Sequence, residues 1–299
     1  MMRITFSSQY RDSSAAVERT SEALVESQRR VSSGKRIERI SDDPTGAAAA
    51  VSERNAIAQV DQYTRTADNV NSRLNVVDTV LSDVIEKLTA AQSVATAGRG
   101  TTATAAQRTA LAQELAGIRD ALLDDMNTTL HGRYLFGGAA VTTKPYSATA
   151  PATVPSYAGS SAEAMADVGN DRSVTIAFNG RAITQGTDTQ DLFQSLDALI
   201  TAVSTGDNNA IGTGLAALGR AFDRATAAQT RVGTDMQVID AQKVRLQQMK
   251  QSGTDRLSKL EDVNMASAIT DMQQADAAYK AALGAVGTVS RVSLMDYLK

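Results

Sequence analysis

The sequence predicts an elongated, mainly α-helical fold of long antiparallel coiled-coil helices, with pairing N- and C-terminal segments and a small inserted β-rich domain. Three observations predict this fold class. Apolar residues recur at alternating steps of four and three along one long stretch, only 4% of the residues are aromatic, and three of the four prolines gather between positions 145 and 155. Alternating steps of four and three are the heptad pattern of helices that bury one narrow stripe against other helices.

The heptad stretch runs from Ala56 to Ala91 without a slip. At 1.5 Å per residue it would be a rod of about 54 Å, which a compact globule cannot cover, so other helices must supply its partners. Ser41-Asp42-Asp43-Pro44 predicts the start of this helix, because Ser and Asp oxygens cap free amides and proline suits the first turn. The helix is predicted to end near Ala97.

Further helices are predicted over 105–130, from about 188, and over 207–252, where Gln229 and Lys243 interrupt the apolar seam. The short connection after the first long helix makes it an antiparallel neighbour of the next one. The candidate rod core collects the apolar seam residues of these helices: Val70, Leu74, Val77, Leu81, Val84, Leu88, Leu111, Leu115, Ile118, Leu122, Phe222, Met236, Ile239 and Leu246.

The amino-acid composition changes after Arg133, where prolines occur among Ser, Thr and Gly. Residues 173–178 alternate with period two, Asn179-Gly180 follows, and a second short run covers 181–184. Asn-Gly between two such runs is a strong signal for a β-hairpin. The sequence therefore predicts a small β-rich domain between the helical halves.

Both chain ends carry weaker seams. The N-terminal seam is polar in part and would form a marginal helix in isolation, whereas the C-terminal seam alternates large side chains with alanine, which permits close approach of a facing helix. Ends that both carry seams are expected to pair with each other or with copies of themselves. The candidate assembly interface comprises Val17, Leu24, Val31, Met265, Ala268, Met272, Ala275, Tyr279, Ala282, Val286, Val289, Leu294, Tyr297 and Leu298.

Composition excludes several classes of function. The chain has no cysteine and one histidine, His131, so disulfides, thiolate metal sites and histidine-based metal clusters are not expected. Its net charge of −3 provides no basic footprint for nucleic acid. No apolar run approaches the roughly 20 residues that span a bilayer, and the N-terminus lacks an apolar secretory signal. We therefore expect no nucleic-acid or membrane partner and no cofactor.

No group of residues makes a strong case for an enzyme. Asp42-Asp43 is better interpreted as a helix cap than as a paired-carboxylate site. Asp124-Asp125 lies near His131, but adjacent residues on a helix do not face each other. The basic residues between positions 29 and 39 are interleaved with glutamates and predict a polar helix face or turn. The chain is therefore not expected to be an enzyme.

Together these patterns predict five segments. Residues 1–43 and 254–299 are the N- and C-terminal assembly segments. Residues 44–137 form an N-terminal helical hairpin of the rod, 138–187 form the β-rich outer domain, and 188–253 form the C-terminal helices of the rod.

Several segments resemble the bacterial flagellin superfamily. Ser32-Ser33-Gly34-Lys35-Arg36-Ile37 and Ser41-Asp42-Asp43-Pro44 are similar to the N-terminal region of flagellins and their relatives, and Ala277-Ala278-Tyr279 with residues 294–298 resembles the matching C-terminal region. Within that superfamily, Gly132-Arg133-Tyr134-Leu135-Phe136-Gly137-Gly138 is similar to the segment after the second helix in the proteins of the hook–filament junction. The resemblance covers roughly residues 2–138 and 188–299.

The resemblance implies a structural subunit of the bacterial flagellum, secreted through the flagellar type III export pathway and located at the hook–filament junction. The terminal segments would polymerise into the inner core, with the long helices around them and the β-rich domain outside. The implied partners are other copies of the chain, the other hook-associated junction protein, flagellin, and an export chaperone that binds the C-terminal region.

Two alternatives stay open. The chain could be a short flagellin that forms the filament itself, since flagellins also carry the Ser-Gly-x-x-Ile and Asp-Asp elements found in this sequence. A cytoplasmic coiled-coil scaffold or binding module, whose β-rich insert grips a ligand, would have terminal segments that are already ordered in the free monomer.

Overall fold

The fold is mainly α-helical with a small region of short strands, as predicted. The structure is a computed structural model that describes residues 6–100, 103–147 and 154–297, with side chains described from residue 11 to 288 of these ranges. In chain order the elements are α1 (Phe6–Ser33), α2 (Pro44–Gly98), α3 (Ala105–Met126), β1 (Thr129–Leu130), β2 (Arg133–Tyr134), β3 (Tyr146–Ser147), β4 (Ser156–Tyr157), β5 (Ala164–Gly169), β6 (Arg172–Ala177), α4 (Gly180–Thr184), α5 (Leu192–Thr205), α6 (Asn208–Glu261) and α7 (Met265–Tyr297).

The chain forms two compact units. Met1–Gln59 and Met249–Lys299 make up the first, which we call the terminal unit, and Val60–Gln248 make up the second, the middle unit. The five segments predicted from the sequence have other boundaries, and the structure groups them so that the first turns of α2 and the last turns of α6 belong with the chain ends.

The middle unit has one large hydrophobic cluster. Its heptad residues on α2 are buried from Ala67 to Ala91, whereas Ala56, the first residue of the predicted seam, is exposed. Leu115 and Leu122 of α3, Phe193 and Leu196 of α5, and the seam of α6 complete the cluster. Burial of each large aliphatic side chain contributes about 1.5–3 kcal/mol, so this cluster is the main store of stability in the unit.

The polar residues that interrupt the α6 seam have partners on α2. Gln229 donates to Ser82 Oγ at 2.8 Å and to Asp78 Oδ1 at 3.2 Å. Lys243 Nζ lies 2.7 Å from Asp68 Oδ1. Both pairs fit one antiparallel register, and polar residues at seam positions select one register among the many that apolar contacts tolerate.

Capping boxes begin two helices of the middle unit, α3 and α5. Thr104 and Gln107 form a capping box at α3, and Asp191 and Gln194 form one at α5. Asp191 also accepts a hydrogen bond from Thr184 Oγ1 at 3.1 Å, and the Tyr146 hydroxyl lies 2.8 Å from the same Thr184 oxygen. Burial raises the pKa of the Asp191 carboxyl and raises that of the Tyr146 hydroxyl well above its ordinary value.

The strands form three two-stranded antiparallel ribbons among the described residues, β1–β2, β3–β4 and β5–β6. The hairpin predicted around Asn179-Gly180 is wrong. β6 pairs with the preceding strand β5, and the run after Gly180 is helix α4. Asn179 caps this helix by accepting from the amide of Arg181 at 3.0 Å, because asparagine serves a helix start as well as a turn.

Polar contacts fix the β5–β6 ribbon to the helices of the middle unit. The Tyr63 hydroxyl donates to Asn170 Oδ1 at 3.0 Å, and Gln242 Nε2 donates to the carbonyl of Val168 at 3.2 Å. The half-buried guanidinium of Arg73 donates to the carbonyls of Ile176 and Tyr134. Burial lowers the pKa of Arg73, with a smaller contribution from Arg133. The β-rich region is therefore bonded to α2 and α6 rather than tethered by flexible linkers.

Two predicted helix ends also differ. The second helix was predicted to reach Leu130 but ends at Met126, because the Asn127 side chain instead pairs with the backbone of Tyr146. The helix predicted over 207–252 continues to Glu261, and the next helix begins at Met265. Asn264 accepts from the amide of Ala266 at 3.1 Å and so begins a new helix there.

Candidate assembly interface

The two terminal helices pack against each other within the terminal unit. Gly34, just after α1, accepts a hydrogen bond from the amide of Val263, just before α7, at 2.9 Å. Lys35 and Asp262 form an antiparallel bridge beside it. Because the end of α1 and the start of α7 meet at this point, the two helices run antiparallel along each other.

The predicted N-terminal seam lies on one face of α1. Val17, Leu24 and Val31 are half-buried, and so is Thr20 between them. Ser27 is buried, and its hydroxyl donates to the carbonyl of Ala23 at 2.8 Å. Small polar side chains thus alternate with aliphatic ones along this seam.

The predicted C-terminal seam lies on one face of α7 in its described part. Ala268 is 3% exposed, whereas Met265 is 43% exposed and lies outside the covered stripe. The other described seam residues are half-buried: Met272, Ala275, Tyr279, Ala282 and Val286. Val289, Leu294 and Tyr297 lie in the last turns of α7, where only the backbone is described, and Leu298 lies outside the described residues.

A second stripe on α7 is left open in the single chain. Met265, Ile269 and Leu283 are 43%, 40% and 45% exposed, and helical spacing places them on one flank of the seam. The sequence reading missed Ile269 and Leu283, because it followed only the seven-residue repeat. The signal was present in the four-residue step from Met265 to Ile269.

A cluster of polar contacts, which we call the clasp, joins the two connections that lead to the terminal helices. The amide of Arg36 donates to the carbonyl of Glu261 at 2.6 Å, and its guanidinium donates to the carbonyl of Leu260 at 2.9 Å. Gly34 has a φ of 68°, which ends α1 in a conformation that glycine adopts without strain.

Glu261 lies at the centre of the clasp. Its side chain is 4% exposed, and its two carboxylate oxygens lie 2.6 Å from Arg54 Nη2 and 3.2 Å from Lys35 Nζ. Two cations from the N-terminal half of the chain thus hold one buried carboxylate from the C-terminal half. Sequence reasoning missed Glu261, because no local pattern links it to partners more than 200 positions away.

The turn between the clasp and α2 is held by its two carboxylates. Asp42 Oδ2 accepts from the amides of Arg39 and Glu38 at 2.9 and 3.1 Å, and these bonds lower its pKa. Asp43 Oδ1 accepts from the amide of Gly46 at 2.9 Å, which together with a bond from the Thr45 hydroxyl lowers its pKa. The predicted cap at the start of α2 is confirmed.

The basic residues of this region have structural partners. Arg30 pairs with Glu26 one turn earlier, Lys35 with Glu261, and Arg36 Nη1 lies 3.4 Å from Asp43 Oδ2. Arg39 forms no ion pair with any described residue. Most of these basic residues are thus paired with groups of the terminal unit itself.

The predicted rod core lies in the middle unit. Val70, Leu74, Val77, Leu81, Val84, Leu88, Leu115, Leu122 and Ile239 are buried in its hydrophobic cluster, and the half-buried Leu111, Ile118, Phe222 and Met236 pack against it. Leu246 is buried outside that cluster.

The remaining candidate residues, His131 and Asp125, lie in a turn and in an ion pair respectively. His131 is exposed in the turn between β1 and β2, with a φ of 50°. Asp125 pairs with Lys87 at 2.6 Å, and burial raises its pKa. Within the described ranges, no three His, Cys, Asp or Glu side chains are grouped to hold a metal ion, and none of the helices has the apolar length that spanning a membrane requires.

Comparison with known proteins gives concordant results. Residues 7–140 match the family model for the bacterial flagellin N-terminal helical region. The chain is 28% identical over 307 residues to flagellar hook-associated protein 3 of Salmonella typhimurium, covering 93% of this chain and 95% of that protein. It is 31% identical over 188 residues to the Escherichia coli protein of the same name, covering 58% of each chain.

A solved structure shares the fold. The putative flagellar hook-associated protein of Vibrio parahaemolyticus superposes with a TM-score of 0.68 at 19% identity, covering 74% of this chain and all of that chain. The flagellin-type helical region, the full-length similarity and the shared fold agree. The chain is therefore similar to flagellar hook-associated protein 3 over most of its length, and residues 7–140 are similar to the N-terminal helical region of bacterial flagellins.

Proposed function

We propose that this chain is a structural subunit of the bacterial flagellum, secreted and located at the hook–filament junction, and that it polymerises through its terminal helices. The observation that carries the proposal is the terminal unit. Its helices α1 and α7 cover each other along one seam and leave Met265, Ile269 and Leu283 open. A pair of helices with such an exposed apolar stripe gains stability when neighbouring subunits cover the stripe.

The relatives support the location. The curated proteins similar to this chain are named flagellar hook-associated protein 3, and the similarity extends over 93% of the chain in one of them. These relatives are structural proteins of the flagellum, which fits a chain whose polar clusters serve helix caps and ion pairs. The proposed role of the chain is mechanical rather than catalytic.

The proposed partners follow from that role. Copies of the chain itself would pack through the candidate assembly interface. We propose that the other hook-associated junction protein lies on one side of these copies and flagellin on the other. An export chaperone would bind the C-terminal segment before secretion, when the α7 stripe has no other cover.

The first test is the copy number of the protein in flagella sheared from cells, measured by quantitative mass spectrometry against the bulk filament protein. We expect a small amount per flagellum that stays constant as filaments lengthen. An amount proportional to filament length would instead identify a short flagellin. Absence from the sheared fraction would favour the cytoplasmic scaffold.

The second test removes residues 265–299, the whole of α7. We expect loss of incorporation into flagella, while the middle unit keeps its helical circular dichroism signal and its cooperative unfolding. Replacing Val244 with serine is the control, because it alters an exposed aliphatic residue that belongs to the middle unit. Incorporation of the truncated chain would contradict assembly through the terminal helices.

A further inference from the structure

We propose that the tip of the turn before α2, Arg39 with Ile40, inserts into a hollow between α1 and α7 of a neighbouring copy of this chain. This inference rests on the proposed assembly and specifies one of its contacts. Ile40 is 75% exposed, the highest value among the large hydrophobic residues described. An isoleucine displayed in this way is unfavourable in the isolated chain and becomes favourable when another surface covers it.

The turn holds Ile40 in a fixed position. Asp42 Oδ2 accepts the amides of Glu38 and Arg39, and the amide of Asp42 donates to the carbonyl of Arg39 at 3.0 Å. Ile37, three residues before the tip, is 5% exposed and anchors the turn. Because the backbone on both sides of Ile40 is already ordered, insertion into a partner loses little conformational entropy.

The hollow lies between the end of α1 and the start of α7, next to the clasp, and it has a volume of about 260 Å³. Ser27, Val263 and Ala268 contribute small or apolar groups to its lining, and Asp271 contributes a carboxylate. A water molecule occupies about 30 Å³ in the liquid, so the hollow offers the space of several water molecules, and we expect one isoleucine side chain to fit.

The charges of the two surfaces are complementary. Arg30 and Arg36 also line the hollow, but Arg30 pairs with Glu26, and Arg36 bonds to Asp43 and to the carbonyl of Leu260. Among the described residues, Asp271 forms no ion pair. Arg39, beside Ile40, forms none either, although its charge contributes, after the backbone amides, to the lowered pKa of Asp42. A contact that inserts Ile40 brings Arg39 towards the opposite charge of Asp271, which favours this register over others.

The proposed occupant is a second copy of the chain, because the Arg39-Ile40 tip and the hollow both belong to the terminal unit of this chain. The exposure of Ile40 shows that it does not fill the hollow of its own chain. A contact between two different surfaces of identical subunits is head-to-tail, and it repeats from copy to copy to give rings or helical arrays. This is the geometry that a polymerising subunit needs.

Disulfide cross-linking tests the contact directly, because the chain has no cysteine of its own. Ile40→Cys and Ser267→Cys are introduced together, since Ser267 is exposed and lines the hollow. Cells carrying this variant are treated with copper phenanthroline, and their sheared flagella are run on a non-reducing denaturing gel. We expect a ladder of multimers that collapses to monomer on reduction.

Three control variants make the result specific. Ile40→Cys alone and Ser267→Cys alone should remain monomeric. The pair Ile40→Cys with Val244→Cys should also remain monomeric. Val244 is likewise accessible to the oxidant, because it is exposed, but it does not line the hollow. Disulfide-linked dimers from Ile40→Cys alone would indicate a two-fold contact and overturn the head-to-tail arrangement.

A charge exchange gives a second readout that needs no cross-link. Arg39→Glu and Asp271→Arg should each lower the copy number per flagellum at least threefold, and the double variant should recover to within twofold of the unmodified protein. A double variant no better than either single one would overturn the contact. So would a double-cysteine variant that is present in flagella but yields no ladder, whereas absence of the unmodified protein from flagella would overturn the proposed function as well.

Discussion

The two units of the chain stabilise their helices in different ways. In the middle unit, Phe136, Tyr146, Phe193 and many leucines are fully buried in one cluster. In the terminal unit, the buried hydrophobic residues among the described side chains are Ile37, Ala50 and Ala268. The terminal unit instead relies on a half-buried seam between α1 and α7 and on the clasp around Glu261.

This difference indicates that most of the free energy of folding comes from the middle unit, whereas the terminal unit leaves surface for contacts with other subunits. A buried leucine contributes several times the free energy of a surface ion pair. We therefore expect the middle unit to be the more stable of the two, because the terminal unit has few large buried side chains until a neighbouring subunit covers it.

The largest expected effect separates the two units. Leu74→Ala should destabilise the middle unit by about 2–5 kcal/mol, because Leu74 is fully buried and the surrounding helices cannot close the cavity. Urea unfolding followed by circular dichroism measures the loss, and hydrogen exchange assigns it to residues 60–248.

Val244→Ala is the matched control for Leu74→Ala. Val244 is 57% exposed on α6, so its truncation should change the free energy of unfolding by no more than about 0.5 kcal/mol. If Leu74→Ala reduced the protection of the terminal unit as much as that of the middle unit, the two would be one cooperative structure and the comparison would fail.

The clasp provides the second test. Glu261→Ala should destabilise the terminal unit by about 1–2 kcal/mol, less than the ~3–5 kcal/mol of a fully buried pair, because Lys35 and Arg54 can turn to solvent. In hydrogen exchange, the amides of Arg36 and Val263 should lose protection, while the amide of Phe178 in the middle unit should not.

Glu53→Ala is the control for Glu261→Ala, since it also removes a glutamate that bonds to an arginine, here Arg256. The Arg256 side chain is 55% exposed, so the loss should stay near ~0.5 kcal/mol. Equal effects of the two substitutions would show that the burial of Glu261 contributes nothing and that the clasp is an ordinary surface pair.

Acid provides the smallest and most local test. Backbone amides lower the pKa of Asp42 and Asp43, so the stability they contribute is present above the ordinary value of 3.8 and is lost as pH falls through the lower folded values. Burial raises the pKa of Asp191, so its contribution is present below 3.8 and is lost as pH rises through the higher folded value.

As pH falls from 6 toward 3, the amide of Gly46 should therefore lose protection relative to the amide of Phe193, which Asp191 caps. Protection factors from hydrogen exchange measure this difference independently of the intrinsic exchange rate. Asp43→Asn should keep the cap and abolish the pH dependence at Gly46. An unchanged pH dependence in that variant would assign the effect to another group.

The sequence predicted the helices well where a repeat defined them. The seam from Val60 to Ala91 and the cap at Asp43 could be read locally, because both depend on residues within a few turns. The Asn179-Gly180 turn was misread, because the same two residues also suit a helix start and the competing partner strand, β5, lies earlier in the chain.

The candidate interface was only partly readable for the same reason. A seven-residue repeat indicates which side chains share a face, but it does not indicate which of two adjacent stripes the partner helix covers. The placement of α1 decides that Ala268 is buried and Met265 is exposed. The clasp could not be predicted from the sequence, because no local sequence pattern links Glu261 to Lys35 and Arg54.

The separation of the clasp residues has a consequence for the order of folding. Lys35 and Glu261 lie 226 positions apart, so closing the clasp encloses most of the chain in one loop. Contacts of such high sequence separation form late, because the entropy of loop closure is lost before the contact can compensate for it. Whichever end of the chain is available first, its terminal helix has no native neighbour until the other end arrives, and the first helix must wait in an unpaired state through the folding of everything between.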